Sequence, residues 1–100
     1  MDLVKLNESI DKRANHIFRL MEGHLYPDTM VNRQLLIETV LNSDHYLGRD
    51  KWKNDWYVQN LADGKQVWVQ IRKGEIINGG LNLIPRNWNT ITGLSRITPP

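Results

Sequence analysis

The chain has 100 residues, of which 40% are apolar, and a formal net charge of +2. That length suffices for one hydrophobic core and is too short for two, so we expect a single domain over residues 1–100. The absence of cysteine excludes a disulfide scaffold, a thiol nucleophile and a Cys-ligated metal site. The three histidines have no metal-ligand spacing, and we expect no metal and no cofactor.

The charge is distributed unevenly along the chain. Residues 1–50 contain six Lys or Arg and eight Asp or Glu, whereas residues 51–100 contain seven and three. A basic second half favours an anionic partner such as nucleic acid, although a small basic domain that binds no anion has the same composition. No run is apolar and long enough for a signal peptide or a membrane span.

The first predicted element is an amphipathic helix from Leu3 to Glu22, in which apolar residues recur every three or four positions. Asn7 is a candidate N-cap, and Gly23 follows the last periodic residue, where a helix-terminating glycine is common. The polar face of this helix, which includes Arg19, is interpreted as solvated rather than as a phosphate contact.

A second helix is predicted after Pro27, which breaks the first helical pattern. Asp28 or Thr29 can cap this helix, which runs to about Leu41, so the helical part covers about residues 3–42. A candidate edge strand at residues 45–48 begins the sheet part, which covers about residues 45–96.

The centre of the sheet is a predicted meander from Asp55 to Asn82, with turns at Asp63-Gly64 and Lys73-Gly74. A two-residue turn at Asp63-Gly64 would pair Val58 with Val69. In that register the predicted core face carries Trp56, Val58, Val67, Val69 and Ile71, and the open face carries Asp55, Tyr57, Gln59, Trp68, Gln70 and Arg72.

The predicted open face combines aromatic rings, carboxamides and an Arg–Asp pair, which suits a flat, anionic ligand that can stack. The alternative is a half-solvated face whose rings cover their cross-strand neighbours. Lys51, Trp52 and Lys53 could hold a nucleic-acid backbone, although a solvated turn is the favoured interpretation of this segment. The candidate RNA-binding residues are Lys51, Lys53, Tyr57, Trp68, Gln70 and Lys73.

The third strand of the meander has an ambiguous register. Simple pairing across Lys73-Gly74 puts Ile77 on the polar face and Asn78 on the apolar face. A bulge at Gly79-Gly80 would restore the alternation and direct Asn78 into a site.

The C-terminal tail is predicted to add a last short strand at residues 88–91, which would complete a four-stranded antiparallel sheet. Residues 92–96 are expected to lie across its edge, and residues 98–100 to fray. The predicted fold is therefore α+β, with two N-terminal helices packed on one face of a four-stranded antiparallel sheet and a shallow cleft on the other.

These residue types are sufficient for RNA cleavage without a metal. The reaction needs a base for the 2′-hydroxyl proton, an acid for the leaving 5′ oxygen and cations for the charged phosphorane. A histidine in an irregular loop suits the acid or base, arginines suit the cation, and short polar side chains suit donors to phosphate or base. The candidate catalytic residues are His24, Arg72, Asn78, Arg86 and Thr92.

A series of spaced blocks over about residues 20–96 resembles the C-terminal toxin modules of bacterial polymorphic toxins, of the contact-dependent growth inhibition, Rhs and MafB types. The blocks are His24, Tyr26-Pro27-Asp28-Thr29, Asn32-Arg33, Leu47-Gly48-x-Asp50, Trp56-Tyr57, Asp63-Gly64-x-Gln66-Val67-Trp68, Arg72-x-Gly74-x-Ile76-Ile77-Asn78-Gly79-Gly80-x-Asn82, Pro85-Arg86-x-Trp88-Asn89 and Thr92-Gly93-Leu94.

The resemblance implies the barnase, EndoU, colicin and RelE type of fold and a metal-independent endoribonuclease, often acting on tRNA. It also implies delivery from a larger secreted or cell-surface effector into the cytoplasm of a neighbouring bacterium, and neutralisation by a cognate immunity protein. That partner is expected to be acidic and to cover Tyr57, Trp68 and Arg72.

Two other classes of function fit the same residues. A non-catalytic nucleic-acid-binding domain would use the aromatic rings and the basic half to stack bases. A protein-interaction module, such as an immunity or regulatory partner, is compatible with the acidic first half. A metal-dependent DNase is disfavoured because the carboxylates lack metal-binding spacing.

Overall fold

The computed structural model describes residues 1–94. The elements in chain order are α1 (Leu3–Ile17), α2 (Met30–Leu41), a 3₁₀ turn (Ser43–His45), β1 (Tyr46–Arg49), β2 (Asp55–Asn60), β3 (Gln66–Arg72), β4 (Glu75–Asn82), β5 (Trp88–Asn89) and β6 (Gly93–Leu94). Strands β1 to β4 form one antiparallel sheet in sequence order, with both helices packed against it. The predicted α+β architecture is therefore confirmed. Within residues 1–94, neither helix is long and apolar enough to span a membrane.

The first helix is shorter than its apolar pattern predicts. Asp2, not Asn7, is the N-cap, because its carboxylate accepts the Lys5 amide hydrogen at 3.2 Å. The helix ends at Ile17, five residues before the predicted end, and Phe18 is its C-cap. The chain turns there because Phe18 and Leu25 are both buried in the core.

The core lies between the helices and the sheet. Helix α1 lies mainly against β4, and α2 lies against β3 and β2. Full burial of one aliphatic side chain stabilises the fold by about 1.5–3 kcal/mol. The fully or nearly fully buried aliphatic residues include Leu6, Ile10, Ile17, Leu36, Ile37, Val40, Val67, Val69, Ile71 and Ile76.

The predicted register between β2 and β3 is wrong by one residue. The Leu61 amide donates to the Lys65 carbonyl at 2.9 Å, and the Gly64 amide donates to the Leu61 carbonyl at 3.0 Å. These bonds close a three-residue loop, in which Gly64 has a φ of +88°. This is the alternative hairpin loop, a type I turn followed by a left-handed glycine, rather than the predicted two-residue turn.

The one-residue shift moves every β2 side chain to the opposite face. Trp56 is opposite Gln70 and Val58 is opposite Trp68, so these side chains share the open face. Tyr57 is opposite Val69 and packs against the core on the helix face. The predictions that Trp56 is a core residue of the helix face and that Tyr57 lies on the open face are therefore wrong.

The register between β3 and β4 contains a bulge at Ile77. Ile76 is opposite Ile71, but Asn78 is opposite Gln70, so one residue is inserted between them. The predicted bulge therefore exists, but it precedes Gly79-Gly80. Helix α1 supports it, because the Ser9 hydroxyl accepts the Ile76 amide hydrogen at 2.9 Å.

The fourth strand of the sheet is β1, at the predicted edge position, and not the C-terminal segment. Trp88 and Asn89 pair instead with Leu94 and Gly93 in a separate two-stranded hairpin. The prediction that residues 88–91 complete the main sheet is therefore wrong. Predictions for residues 95, 96 and 98–100 concern positions outside the described residues.

Candidate functional site

The open face of the sheet carries a cleft of about 880 Å³. Its floor is formed by β3 and β4 through Trp68, Gln70, Asn78 and Asn82. Three segments rise around this floor: residues 19–24 after α1, residues 50–56, and residues 86–94. A volume of this size is typical of pockets that enclose most of a small ligand.

Residues 19–24 rest directly on the sheet because β4 has a glycine beneath them. A Cβ on Gly80 would lie 1.9 Å from the Gly23 carbonyl oxygen, so only glycine allows this approach. The Trp68 indole donates from Nε1 to the same carbonyl at 2.9 Å. Together Gly80 and Trp68 bring His24 to the edge of the floor.

His24 contacts an arginine, and this contact sets the tautomer of the imidazole ring. Nη2 of Arg19 lies 3.0 Å from Nε2 of His24. Because a guanidinium can only donate, Nε2 must accept, and the neutral ring then has its proton on Nδ1. Burial lowers the pKa of His24 below its usual value of 6.5, and the charges of Arg19 and His16 lower it further. His24 is therefore neutral at pH 7.

Arg86 is positioned by a buried pair of carboxamides. Oε1 of Gln66 accepts two hydrogen bonds, one from the Arg86 amide at 3.0 Å and one from Nδ2 of Asn82 at 2.9 Å. Nε2 of Gln66 donates to the Arg86 carbonyl at 3.3 Å. Gln66 therefore bonds the backbone of Arg86 on both sides, and the guanidinium lies next to Gly23 and the segment that carries His24.

The C-terminal hairpin, residues 88–94, closes the third side of the cleft. The Lys51 amide donates to the Ile91 carbonyl at 2.8 Å. Gly93 fits over the ring of Trp56, where a Cβ would lie 2.3 Å from Cε2. Oδ1 of Asn89 accepts the amide hydrogens of Ile91 and Thr92 at 2.8 and 3.2 Å, which fixes the turn that presents Thr92 to the cleft.

Asp50 is the buried acid of this region, and its contacts indicate a structural role. Its carboxylate accepts the amide hydrogens of Trp52 and Asn54, the Asn54 side chain and Nε1 of Trp56, at 2.9–3.2 Å. Burial by itself raises the pKa of Asp50, but these hydrogen bonds outweigh burial and lower it. Asp50 is therefore ionised at pH 7, and it shapes the 50–54 loop.

The structure brings four of the five predicted catalytic residues to one cleft: His24, Asn78, Arg86 and Thr92. It does not bring Arg72 there. Nε of Arg72 donates to Oδ1 of Asn54 and Nη2 donates to the Trp52 carbonyl, both at 2.9 Å, so Arg72 holds the 50–54 loop. Its catalytic role stays a prediction that this placement does not support.

The predicted RNA-binding residues are divided among several places. Trp68 and Gln70 are on the floor of the cleft. Lys51 and Lys53 are exposed on the loop beside it, and Nζ of Lys51 lies 4.6 Å from the centre of the Trp52 ring. Tyr57 faces the helices, and Lys73 lies in the β3–β4 turn, where its carbonyl accepts a hydrogen bond from Lys5.

Arg19, Trp52 and Trp56 all line the cleft. The sequence predicts a ligand contact for Trp52, beside Lys51 and Lys53, but not for Arg19 or Trp56. The sequence predicts Arg19 on a solvated helix face because the apolar pattern continues past Ile17. It predicts Trp56 in the core because Asp63-Gly64 indicates a two-residue loop. For the 50–56 segment, the positive charge of Lys51 beside the ring of Trp52 is the local sequence feature that indicates a ligand contact.

Among residues 1–94, no group of three or more His, Asp or Glu side chains is arranged to hold a metal ion. Comparisons of the chain with protein-family models, with curated proteins and with solved structures found no match.

Proposed function

We propose that the protein is a metal-independent endoribonuclease, and that the cleft on the open sheet face is its active site. The observation that supports this proposal best is the neutral His24 that shares one cleft with two arginines, Arg19 and Arg86. A neutral imidazole can accept a proton at pH 7, and two guanidinium groups can stabilise a charged phosphorane.

The proposed reaction is an internal transesterification of RNA. His24 accepts the 2′-hydroxyl proton at Nε2, after Arg19 has turned from the ring to the phosphate. The 2′ oxygen then bonds to phosphorus, and the bond from phosphorus to the 5′ oxygen breaks. The leaving 5′ oxygen takes up the proton that His24 holds, so the products are a 2′,3′-cyclic phosphate and a 5′-hydroxyl. Arg86 and the Thr92 hydroxyl stabilise the phosphorane oxygens.

A test of this proposal is incubation of the purified chain with total bacterial RNA, followed by a denaturing gel. We expect discrete fragments that end in 2′,3′-cyclic phosphate, in the presence of EDTA as well as without it. His24→Ala should abolish cleavage, and His45→Ala is the matched control because the His45 ring bonds the Thr39 carbonyl away from the cleft. Intact RNA with the unmodified chain would contradict the proposal.

We propose further that the chain acts as the toxin module of a polymorphic toxin, with tRNA as its RNA and a cognate immunity protein as its partner. The sequence blocks named above support this, and several of their residues, including His24, Trp68, Asn78 and Arg86, line the cleft. Expression of the chain in a bacterium should arrest growth, and co-expression of the immunity protein should restore it. Growth without arrest would contradict this part of the proposal.

A second candidate is a nucleic-acid-binding domain without catalysis. The observation that favours it is Trp52, whose side chain lines the cleft while 52% exposed and packs against the ammonium of Lys51. An exposed ring beside a cation is suited to base stacking next to a phosphate. Salt-sensitive RNA binding without any cleavage would establish this candidate instead.

A further inference from the structure

The floor of the cleft carries two adjacent carboxamides. Gln70 and Asn78 lie directly opposite each other on β3 and β4, and both line the cleft. Side chains in such a pair are neighbours on the sheet surface. The bulge at Ile77 produces this arrangement, because without it Asn78 would face the helices.

The hydrogen bonds of this pair leave polar atoms available in the cleft. Oδ1 of Asn78 accepts the Gly79 amide hydrogen at 2.9 Å, which directs Nδ2 away as a donor. Among residues 1–94, Nδ2 of Asn78 and the carboxamide of Gln70 make no hydrogen bond. By contrast, the neighbouring carboxamides of Gln66 and Asn82 bond each other.

Indole rings flank the two carboxamides. Trp56 is opposite Gln70 on β2, and Trp68 is two residues before Gln70 on β3. The ring of Trp68 lies 6.1 Å from that of His24, between centroids. A planar ligand on this floor would therefore meet aromatic surface, a fixed donor and a carboxamide that can donate and accept, close to the proposed catalytic histidine.

We infer that Gln70 and Asn78 form a base-reading subsite, which binds the Watson–Crick edge of an unpaired nucleobase beside the cleaved phosphate. That edge presents adjacent donors and acceptors, which two carboxamides match, whereas a base in a duplex has its edge occupied by its partner. The substrate class is then single-stranded RNA or an unpaired loop. This inference rests on the proposed function, because it takes RNA as the ligand of the same cleft.

The test uses strands that cannot be cleaved, so that binding is separated from catalysis. Three probes are compared with the full chain: a short single-stranded 2′-deoxy oligonucleotide, the same strand with abasic residues, and the same strand in a duplex. Fluorescence of the cleft tryptophans reports binding. We expect the single strand with its bases to bind about ten-fold or more tightly than either other probe.

Two variants with the same added charge make the test specific. Asn78→Asp keeps the acceptor for Gly79 and replaces the donor with a second acceptor, so the preference for bases over abasic residues should fall to the part that stacking on the indole rings supplies. Asn89→Asp puts the same charge in the cleft and keeps the acceptor for Ile91 and Thr92. It should weaken all probes together and keep the preference.

The results separate this inference from the proposed function. Equal binding of all three probes, or an equal loss of preference in both variants, would overturn the base-reading subsite. If RNA were cleaved on the gel in that case, the proposed function would remain. Base-selective binding without RNA cleavage would have the opposite meaning: the subsite would stand and the endoribonuclease proposal would fall.

Discussion

Nη2 of Arg19 donates to Nε2 of His24 across 3.0 Å, so a cation holds the one nitrogen of the ring that can act as a base. The contact keeps the ring in a single tautomer and, with burial, lowers its pKa. Binding of a phosphate would give Arg19 a stronger partner and release Nε2. In the proposed mechanism, the anionic substrate therefore activates its own base.

The pH dependence of cleavage tests this relationship. His24 must be neutral, so kcat/KM should be constant near pH 7 and should fall as the pH drops through the lowered pKa of His24. Arg19→Gln removes the charge, which raises this pKa, so the fall should begin at a higher pH. His16→Gln should also move the start of this fall to a higher pH, but by less, because His16 lowers the pKa of His24 less than Arg19 does. An unchanged pH profile in Arg19→Gln would show that another group limits cleavage.

Gly80→Ala should displace residues 19–24 from the sheet. The new methyl group would overlap the Gly23 carbonyl oxygen, at a cost of about 1–3 kcal/mol, and would break the Trp68 hydrogen bond. We expect a matching fall in the free energy of unfolding and loss of RNA cleavage.

Gly64→Ala is the matched control for Gly80→Ala. Gly64 has a φ of +88° and no atom near its Cβ position, so this change strains the backbone by about 1–2 kcal/mol at a residue that does not line the cleft. Chemical denaturation should show a similar loss of stability in both variants. On the RNA gel, Gly64→Ala should still cleave RNA and Gly80→Ala should not. Full cleavage by folded Gly80→Ala would contradict the role of the 19–24 segment.

Substitutions of Arg86 and Gln66 should have non-additive effects on kcat/KM but different effects on the stability of the fold. Arg86→Ala removes a proposed phosphorane contact, so kcat/KM should fall by about 100- to 1000-fold with little change in stability. Gln66→Leu leaves the Arg86 backbone and the Asn82 side chain without partners, at about 1–3 kcal/mol, and should also lower kcat/KM. Adding Gln66→Leu to Arg86→Ala should lower kcat/KM no further; additive losses would show that Gln66 acts independently.

Arg72 should affect RNA binding through Trp52. Trp52→Ala should weaken RNA binding by about 1–3 kcal/mol, the usual effect of losing one stacked base, and Trp52→Phe should restore part of it. Arg72→Ala releases the Trp52 carbonyl and should weaken binding less. In the double variant the Arg72 effect should vanish, as measured by RNA titration at fixed salt. If it persists in full, Arg72 contacts RNA directly, as the sequence prediction holds.

Variants of Tyr57 distinguish the observed register of the β2–β3 hairpin from the register predicted from sequence. Its ring lies 5.2 Å from that of Tyr46 on the helix side, and burial raises the pKa of its hydroxyl. We expect Tyr57→Phe to leave RNA binding unchanged and stability within about 0.5 kcal/mol. Tyr57→Ala should lower stability by less than the cost of removing a fully buried ring, about 3–5 kcal/mol, because Tyr57 is only partly buried. Specific loss of RNA binding in a stable Tyr57→Phe variant would contradict the observed register.

Local patterns predicted the elements and the fold class. The second helix begins after Thr29, whose hydroxyl accepts the Asn32 amide hydrogen, and it ends at Leu41, as its cap and apolar run indicate. The three strands of the meander and the edge position of β1 follow from alternation and turn residues. Residue type and position in the chain also predict His24, Asn78 and Arg86 as site residues, and all three line the cleft.

Tertiary packing decided the ends and the faces. The apolar pattern of α1 continues to Met21, but burial of Phe18 and Leu25 ends the helix at Ile17 and brings Arg19 to the cleft. Propensity favours continuation by a few tenths of a kcal/mol per residue, whereas burial of one large apolar side chain is worth about 1.5–3 kcal/mol.

The choice between hairpin loops had the largest effect on the site. Asp63-Gly64 is compatible with a two-residue and with a three-residue loop, and the two loops place opposite faces of β2 in the core. The sequence by itself determined that a strand lies there and that each of its faces carries one aromatic ring, Trp56 or Tyr57. Only tertiary contacts, Trp56 with Asp50 and Gly93 on one side and Tyr57 with the helix-side core on the other, decided which ring lines the cleft.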